Sequence, residues 1–171
     1  MAATTLPRKL KKFTAWVDGT GYLGKVQELE PPKLALKTEE YRAGGMDAPV
    51  EIDMGMEKLE ANATFAEYSP ELFEKFGVLE KDDIPITFRG AIRAGGNDAD
   101  AVILEMRGKV KELDSGTWKA GDDSTLKVGI TLTYYKVTIA GDETIEIDTV
   151  NIIRTIGGVD QLASERDALG I

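Results

Sequence analysis

Apolar and polar residues alternate with a period of two along most of this 171-residue chain. A strand that buries one face and exposes the other produces this pattern. Because antiparallel sheets tolerate one solvent face and parallel sheets do not, the alternation predicts antiparallel sheets. The clearest apolar sets are Ile84, Ile86, Phe88 and Ile92; Leu59, Ala61, Ala63 and Phe65; Val102, Leu104, Met106 and Val110; and Leu126, Val128, Ile130 and Leu132.

The segment that starts at Leu126 changes phase, because Tyr135, Val137 and Ile139 become its apolar set. A β-bulge, or a strand that crosses between two sheets, would cause the change. We count roughly eight strands, which suits a sandwich or a barrel. The prediction is a mainly β fold, with two packed antiparallel sheets in one domain spanning residues 1–171.

Two helices are predicted beside these sheets. Ser69 is suited to be the N-cap of the first, Pro70 to its first position, and Gly77 to its end. Its apolar stripe is expected to comprise Leu72, Phe73 and Phe76. A short C-terminal helix is predicted after Asp160, which can cap it.

The chain contains neither cysteine nor histidine. Disulfides, thiolate nucleophiles, zinc fingers and Ser-His-Asp triads are therefore excluded. Glycine-rich and acidic loops give only weak motifs: the loop with Asp98 and Asp100 lacks the later ligands of an EF-hand. We predict no catalytic, metal-binding or cofactor-binding residue, and hence a protein that is not an enzyme. No apolar run reaches the roughly 20 residues of a membrane helix, so no membrane insertion is expected.

The formal net charge is −9, but it is unevenly distributed. Arg8, Lys9, Lys11 and Lys12 form a basic start, with no acidic residue before Asp18. This start is either a solvated arm or an arm that docks on an acidic surface of another copy of the chain. Nucleic-acid binding is the least favoured interpretation, because the remaining residues would repel phosphate.

The most informative loop spans Arg42 to Pro49. Gly44 and Gly45 permit backbone conformations closed to other residues, and Met46 follows them. Methionine adapts to irregular gaps, so the loop is suited to become ordered on a neighbouring subunit. The alternative is an ordinary mobile hairpin tip.

Several segments, taken in order, resemble the major tail tube protein of contractile-tailed phages, the related tubes of R-type pyocins and the tube protein of type VI secretion systems. The segments are Leu6 to Lys11; Leu34 to Met46 with Ala48 to Val50; Pro85 to Gly90; Met106 to Gly108 with Lys111 to Gly116; Thr133 to Tyr135; and Glu146 to Asp160.

The resemblance implies a structural virion protein that stacks as hexameric rings into the inner tube of a contractile tail, the conduit for DNA delivery. The implied partners are other copies of the chain, the tail sheath, baseplate and tail terminator proteins, and the tape measure protein and passing DNA in the lumen. Assembly would take place in the bacterial cytoplasm. The tube of a genome-free bacteriocin or injection system stays an alternative, as do a monomeric β-sandwich module that binds carbohydrate through Trp16 or Trp118 and a carboxylate-dependent hydrolase.

The resemblance also gives roles to the N-terminal arm, residues 1–12, and to an assembly loop, residues 42–57. The residues expected at subunit interfaces are Pro7, Arg8, Lys9, Leu10, Tyr41, Arg42, Gly44, Gly45, Met46 and Pro49. An acidic lumen would let DNA pass without holding it. The acidic residues expected on a polar strand face lining that lumen are Glu39, Glu51, Asp53 and Glu60.

Overall fold

The computed structural model of the chain describes residues 6–79 and 83–171, in which strands predominate and helices are few. Every pairing between the named strands is antiparallel. The elements are β1 (Lys9–Val17), β2 (Thr20–Gly21), β3 (Val26–Glu30), β4 (Leu36–Tyr41), β5 (Val50–Met56), β6 (Glu60–Phe65), α1 (Pro70–Glu74), β7 (Ile84–Arg93), β8 (Asp100–Asp114), β9 (Leu126–Ile139), β10 (Asp142–Asp148), β11 (Ile153–Ile156), β12 (Val159–Asp160) and α2 (Ala163–Leu169).

Strand β9 is the point at which the main sheet branches. One edge of β9 pairs with β8 along nearly its whole length. On the other edge, residues 126–131 pair with β6 and residues 134–139 pair with β10. A large sheet therefore runs β12-β11-β10-β9-β8-β7-β1-β2, and a smaller wing of β6 and β3 leaves it at β9. The prediction of a mainly β, antiparallel fold is confirmed, although the described strands do not close into a barrel.

The predicted phase change in β9 is a β-bulge at Thr133. Gly108 of β8 pairs with Leu132, and Arg107 pairs with Tyr134, so Thr133 has no partner on β8. A Cβ atom placed on Gly108 would lie 2.0 Å from the carbonyl oxygen of Thr131. The bulge therefore depends on a glycine opposite it, and it lies where β9 changes from β6 to β10 as its second neighbour.

A single apolar core lies between the wing and the large sheet. The predicted alternating sets supply most of it, because each set is the inward face of one strand. The buried apolar residues are Ala15, Val17, Tyr22, Leu59, Ala61, Ala63, Phe65, Leu72, Ile84, Ile86, Phe88, Met106, Val110, Leu126, Val128, Ile130, Leu132, Tyr135 and Ile147.

Helix α1 is shorter than predicted, and its apolar stripe is wrong for two residues. Ser69 takes the N-cap backbone conformation, but its hydroxyl donates to the Glu67 carboxylate and does not cap the helix. Leu72 is buried, whereas Phe73 and Phe76 are exposed, because a helix of five residues presents little more than one turn to the core.

Helix α2 forms after Asp160 as predicted, but Asp160 is not its cap, because the N-cap is Leu162 and no side chain caps the helix. The Asp160 carboxylate instead accepts a hydrogen bond from the backbone N–H of Leu162, at 3.0 Å, ahead of the first helical turn. Neither described helix is long and apolar enough to cross a membrane.

Candidate assembly surface

The β4–β5 hairpin is a separate two-stranded sheet that projects from the body. A two-stranded hairpin alone is marginally stable in water, because too little of its surface is buried. This hairpin also exposes large apolar side chains, each about half accessible. These are Tyr41 (53%), Val50 (48%), Ile52 (46%) and Met54 (54%).

The register of the hairpin separates its residues into two faces of different character. Tyr41 pairs with Val50, and Glu39 with Ile52, so these four side chains lie on one face. We call it the apolar face; Met54 belongs to it by strand parity. The opposite, acidic face carries Glu40, Glu51, Thr38 and Asp53.

This register corrects one part of the lumen prediction. Glu39 lies on the apolar face, opposite Glu51 and Asp53, so these three residues do not share a polar face. Glu40 takes the place of Glu39 on the acidic face. Alternation shows which residues of one strand lie on the same side. Which side of β4 matches which side of β5 depends on how the strands pair across the eight-residue loop, and the sequence does not show this.

The predicted assembly loop, residues 42–57, is a loop only from Arg42 to Pro49, because residues 50–56 form β5. The methionine of this loop is already in contact with the loop itself. The backbone N–H of Ala43 lies 3.2 Å from the Met46 sulfur, and the Met46 side chain is half-buried within its own loop. Gly45 has φ +91°, a left-handed conformation that favours glycine. The tip is thus a compact turn, with Arg42 and Pro49 exposed at its ends.

The base of the hairpin is closed and attached to the body. The backbone N–H of Glu57 donates to the carbonyl of Ala35 at 2.9 Å, which joins the two ends of the hairpin, and Met56 packs against the core. Further out, Asp53 forms an ion pair with Arg154 of β11 at 2.8 Å. The pKa of the Asp53 carboxyl is lowered, first by the backbone N–H of Gly55 and then by Arg154. Asp53 therefore acts as a tether within the subunit.

The N-terminal arm is described from residue 6; residues 1–5 of the predicted arm lie outside the described residues. Pro7, Arg8, Lys9 and Leu10 are all exposed, and Arg8 forms an ion pair with Asp100 at 2.7 Å. From Lys9 onward the arm is the start of β1, paired with β7.

An apolar cleft of about 350 Å³ opens beside the arm, at one end of the core. Leu10 forms part of its wall and lies over Gly90, where a Cβ atom would come within 2.6 Å of the leucine side chain. Sequence reasoning did not predict this cleft, because its residues come from five separate segments. They are Leu10, Phe13, Leu29, Pro31, Phe88, Gly90, Ile92, Val102, Leu104 and Tyr135.

A second surface missed by sequence reasoning is the outer side of the wing. Its polar cleft is lined by Glu28, Glu30, Asn62, Thr64, Glu112, Asp114, Lys127 and Gly129. We call the carboxylates of this set the wing acids. The alternation of Glu28 and Glu30 about the inward Leu29 could have shown that both glutamates face outward. Their proximity to the acids of β8 could not be predicted, because it depends on the pairing of β6 with β9.

Glu60 lies on the same outer side of β6 as Asn62, two residues away. Its carboxylate forms ion pairs with Lys58, at 2.7 Å, and with Lys111. Hydrogen bonds from Lys111 and then Lys58 lower the pKa of the Glu60 carboxyl to about 2. Of the four predicted lumen residues, Glu60 is therefore the one that adjoins the wing acids.

The two tryptophans have different neighbours. Trp118 is 78% exposed and stacks on Tyr68, whereas the Arg89 guanidinium lies 5.7 Å from the Trp16 ring centroid. Within residues 6–79 and 83–171, no three acidic side chains are grouped so as to hold a metal ion.

A family model described as phage tail tube protein FII matches residues 7–170. The chain belongs to this family. It is 35% identical to the tail tube protein of Escherichia phage P2, over 97% of this chain and 99% of that protein. It is 37% identical to the major tail tube protein of Serratia phage KSP20, over 86% of each chain. As a tail tube protein, the chain is structural and is not an enzyme.

The fold of this tail tube protein is also found in solved structures. A chain of the sheath–tube complex of an extracellular contractile injection system matches with a TM-score of 0.62, covering 77% of this chain and 91% of that one, at 13% identity. The two tail tube relatives in phages show that the family belongs to virions, and the structural match shows that the fold extends to injection systems.

Proposed function

We propose that this tail tube protein polymerises as stacked hexameric rings that form the inner tube of a contractile tail, the conduit for DNA. The observation that carries the proposal is the exposed apolar face of the β4–β5 hairpin. Contiguous apolar surface of this kind on a soluble chain marks an interaction site, and a projecting hairpin can reach another subunit. Head-to-tail contacts close into rings laterally and continue as filaments axially.

The interfaces would use the arm and the hairpin loop. The exposure of Pro7 to Leu10, and of Tyr41, Arg42, Gly44, Gly45 and Pro49, supports this role. Met46 would contribute only after leaving its contact with Ala43. Ordering such a loop costs conformational entropy, which slows growth until a neighbouring subunit offers a surface.

The lumen would be lined by the outer side of the wing. This proposal keeps Glu60 and adds the wing acids Glu28, Glu30, Glu112 and Asp114, because these four carboxylates line one cleft, against a single cation, Lys127, among its lining residues. Glu51 and Asp53 would lie at its margin, on the hairpin. An acidic wall repels the phosphates of passing DNA.

The proposed partners are other copies of the chain and the tail sheath protein, a contact supported by the sheath–tube complex found among similar structures. Baseplate, tail terminator and tape measure proteins would be the remaining partners in the virion. Subunits would wait in the bacterial cytoplasm before assembly.

Electron microscopy of the purified protein tests the proposal directly. We expect hexameric rings and hollow stacked tubes at high protein concentration. Particles that remain single subunits at every concentration, with or without a preformed baseplate, would overturn it. The genome-free alternative makes a separate prediction, namely complete particles without DNA; the phage origin of both relatives favours the DNA conduit.

A further inference from the structure

Two apolar surfaces of the isolated subunit lack a partner among the described residues. One is the apolar face of the hairpin, with Tyr41, Val50, Ile52 and Met54. The other is the cleft beside the arm, whose inner end is continuous with the core through Phe88 and Tyr135. Leu10, at the mouth of the cleft, is 58% exposed. The hairpin ridge and the concave cleft are opposite in shape.

The two surfaces also lie beside charges of opposite sign. Residues 36–56 carry five acidic and two basic side chains, a net charge of −3. Residues 6–13, which border the cleft, carry four basic side chains and no acidic one. Opposite charges of this kind orient two surfaces and fix their register.

Most of these charged side chains form no ion pair within the described part of the subunit. Lys9, Lys11 and Lys12 form no ion pair with any residue in the described ranges. On the hairpin, Glu39, Glu40 and Glu51 are equally unpaired there, and Asp53 alone binds a cation of the body, Arg154.

We infer that the β4–β5 hairpin of one subunit docks, apolar face down, into the cleft beside the arm of the next subunit. Ile52 and Val50 would cover Leu10, Ile92 and Val102. Glu39, which lies on the same face as Ile52, would face the arm lysines. The contact is heterologous, because the hairpin and the cleft are different surfaces, so it can repeat from copy to copy. This inference rests on the proposed polymerisation and names the surface that receives the hairpin.

The natural absence of cysteine allows a clean test by cross-linking. Two single variants are made, Ile52→Cys and Ile92→Cys, one of them with a tag that changes its size. Mixed, concentrated and oxidised, they should give a covalent dimer that contains one chain of each size, because a disulfide needs Cβ atoms about 4 Å apart. The matched control replaces Ile52→Cys by Glu51→Cys, the adjacent residue on the opposite face.

The outcomes separate the docking contact from the tube itself. Mixed-size dimers well above the Glu51→Cys control support the inference, whether or not tubes are seen in the same sample. Tubes that form without such dimers overturn the docking contact and leave the tube proposal standing. A double variant Ile52→Cys, Ile92→Cys that closes a disulfide within one chain would also overturn it, because the hairpin would then cover its own cleft.

Discussion

At the scale of single residues, Gly108 shows how one position decides the course of two strands. The change from Leu132 to Tyr135 as buried residues could be read from the alternation alone. The need for glycine on the opposite strand could not, because it arises from the close approach of the Thr131 carbonyl across the bulge. Sequence patterns report which residues are buried, whereas a close backbone contact depends on the pairing of strands far apart in the chain.

Replacing Gly108→Ala is therefore expected to destabilise the subunit by about 3 kcal/mol, since overpacking against backbone atoms cannot be relieved by a rotamer change. Urea unfolding of the unassembled protein measures the effect. Gly96→Ala serves as the control, because a Cβ atom there meets no atom within 4 Å. Equal stability of the two variants would contradict the account of the bulge.

The ion pairs of Glu60 predict a specific pH dependence. Because the folded-state pKa of about 2 lies below the ordinary value of 4.5 for this carboxyl, the ionised carboxylate stabilises the native state. That contribution is complete above pH 4.5 and is lost as the pH falls through about 2. The effect is small, because the side chain is 42% exposed.

Wild type and Glu60→Gln should thus differ in urea midpoint at pH 7 and converge near pH 2. A difference that stays constant across this range would show that packing, and not the charge, is responsible.

At the scale of elements, the hairpin shows where sequence reasoning succeeds and where it ends. The loop bounds, 42 to 49, follow from glycine, proline and the loss of alternation, and they agree with the structure. The face that Glu39 shares with residues of β5 does not follow, because it depends on the pairing of Tyr41 with Val50 across the loop. For α1, the predicted apolar stripe was too long, since a helix of five residues buries Leu72 and leaves Phe73 and Phe76 exposed.

Deleting Gly44 to Asp47 is expected to abolish polymerisation and to leave the subunit folded, because the loop lies outside the core and its strands pair independently of it. Circular dichroism and thermal unfolding check the fold, and sedimentation checks assembly. Tubes that form at the normal protein concentration would mean that the loop is not needed for assembly.

At the scale of the whole molecule, the acidic surplus is not spread uniformly. The wing acids and Glu60 gather it on one outer surface, while the arm concentrates positive charge beside the cleft. The total charge and the basic start were evident from the sequence. The position of the acidic surface was not, because it brings together β3, β6, β8 and β9.

If that surface lines the lumen, the triple variant Glu28→Lys, Glu30→Lys, Glu112→Lys should still form tubes but should retain DNA. Short duplex DNA is expected to co-sediment with these tubes at low salt and to be released as salt is raised, because phosphate binding displaces counterions. The matching Gln variants remove the negative charge without adding a positive one. If tubes of the triple lysine variant retain no more DNA than wild-type tubes, the outer side of the wing does not line the lumen.

Strand β8 has a mechanical consequence. Its 15 residues form one continuous strand, about 50 Å long at the usual rise per residue, with a ladder on each side over residues 102–108. A push along this strand is opposed by one covalent backbone, and both ladders are loaded in shear, so that many hydrogen bonds must break together. A tube whose subunits align β8 with the direction of thrust is therefore expected to resist axial compression.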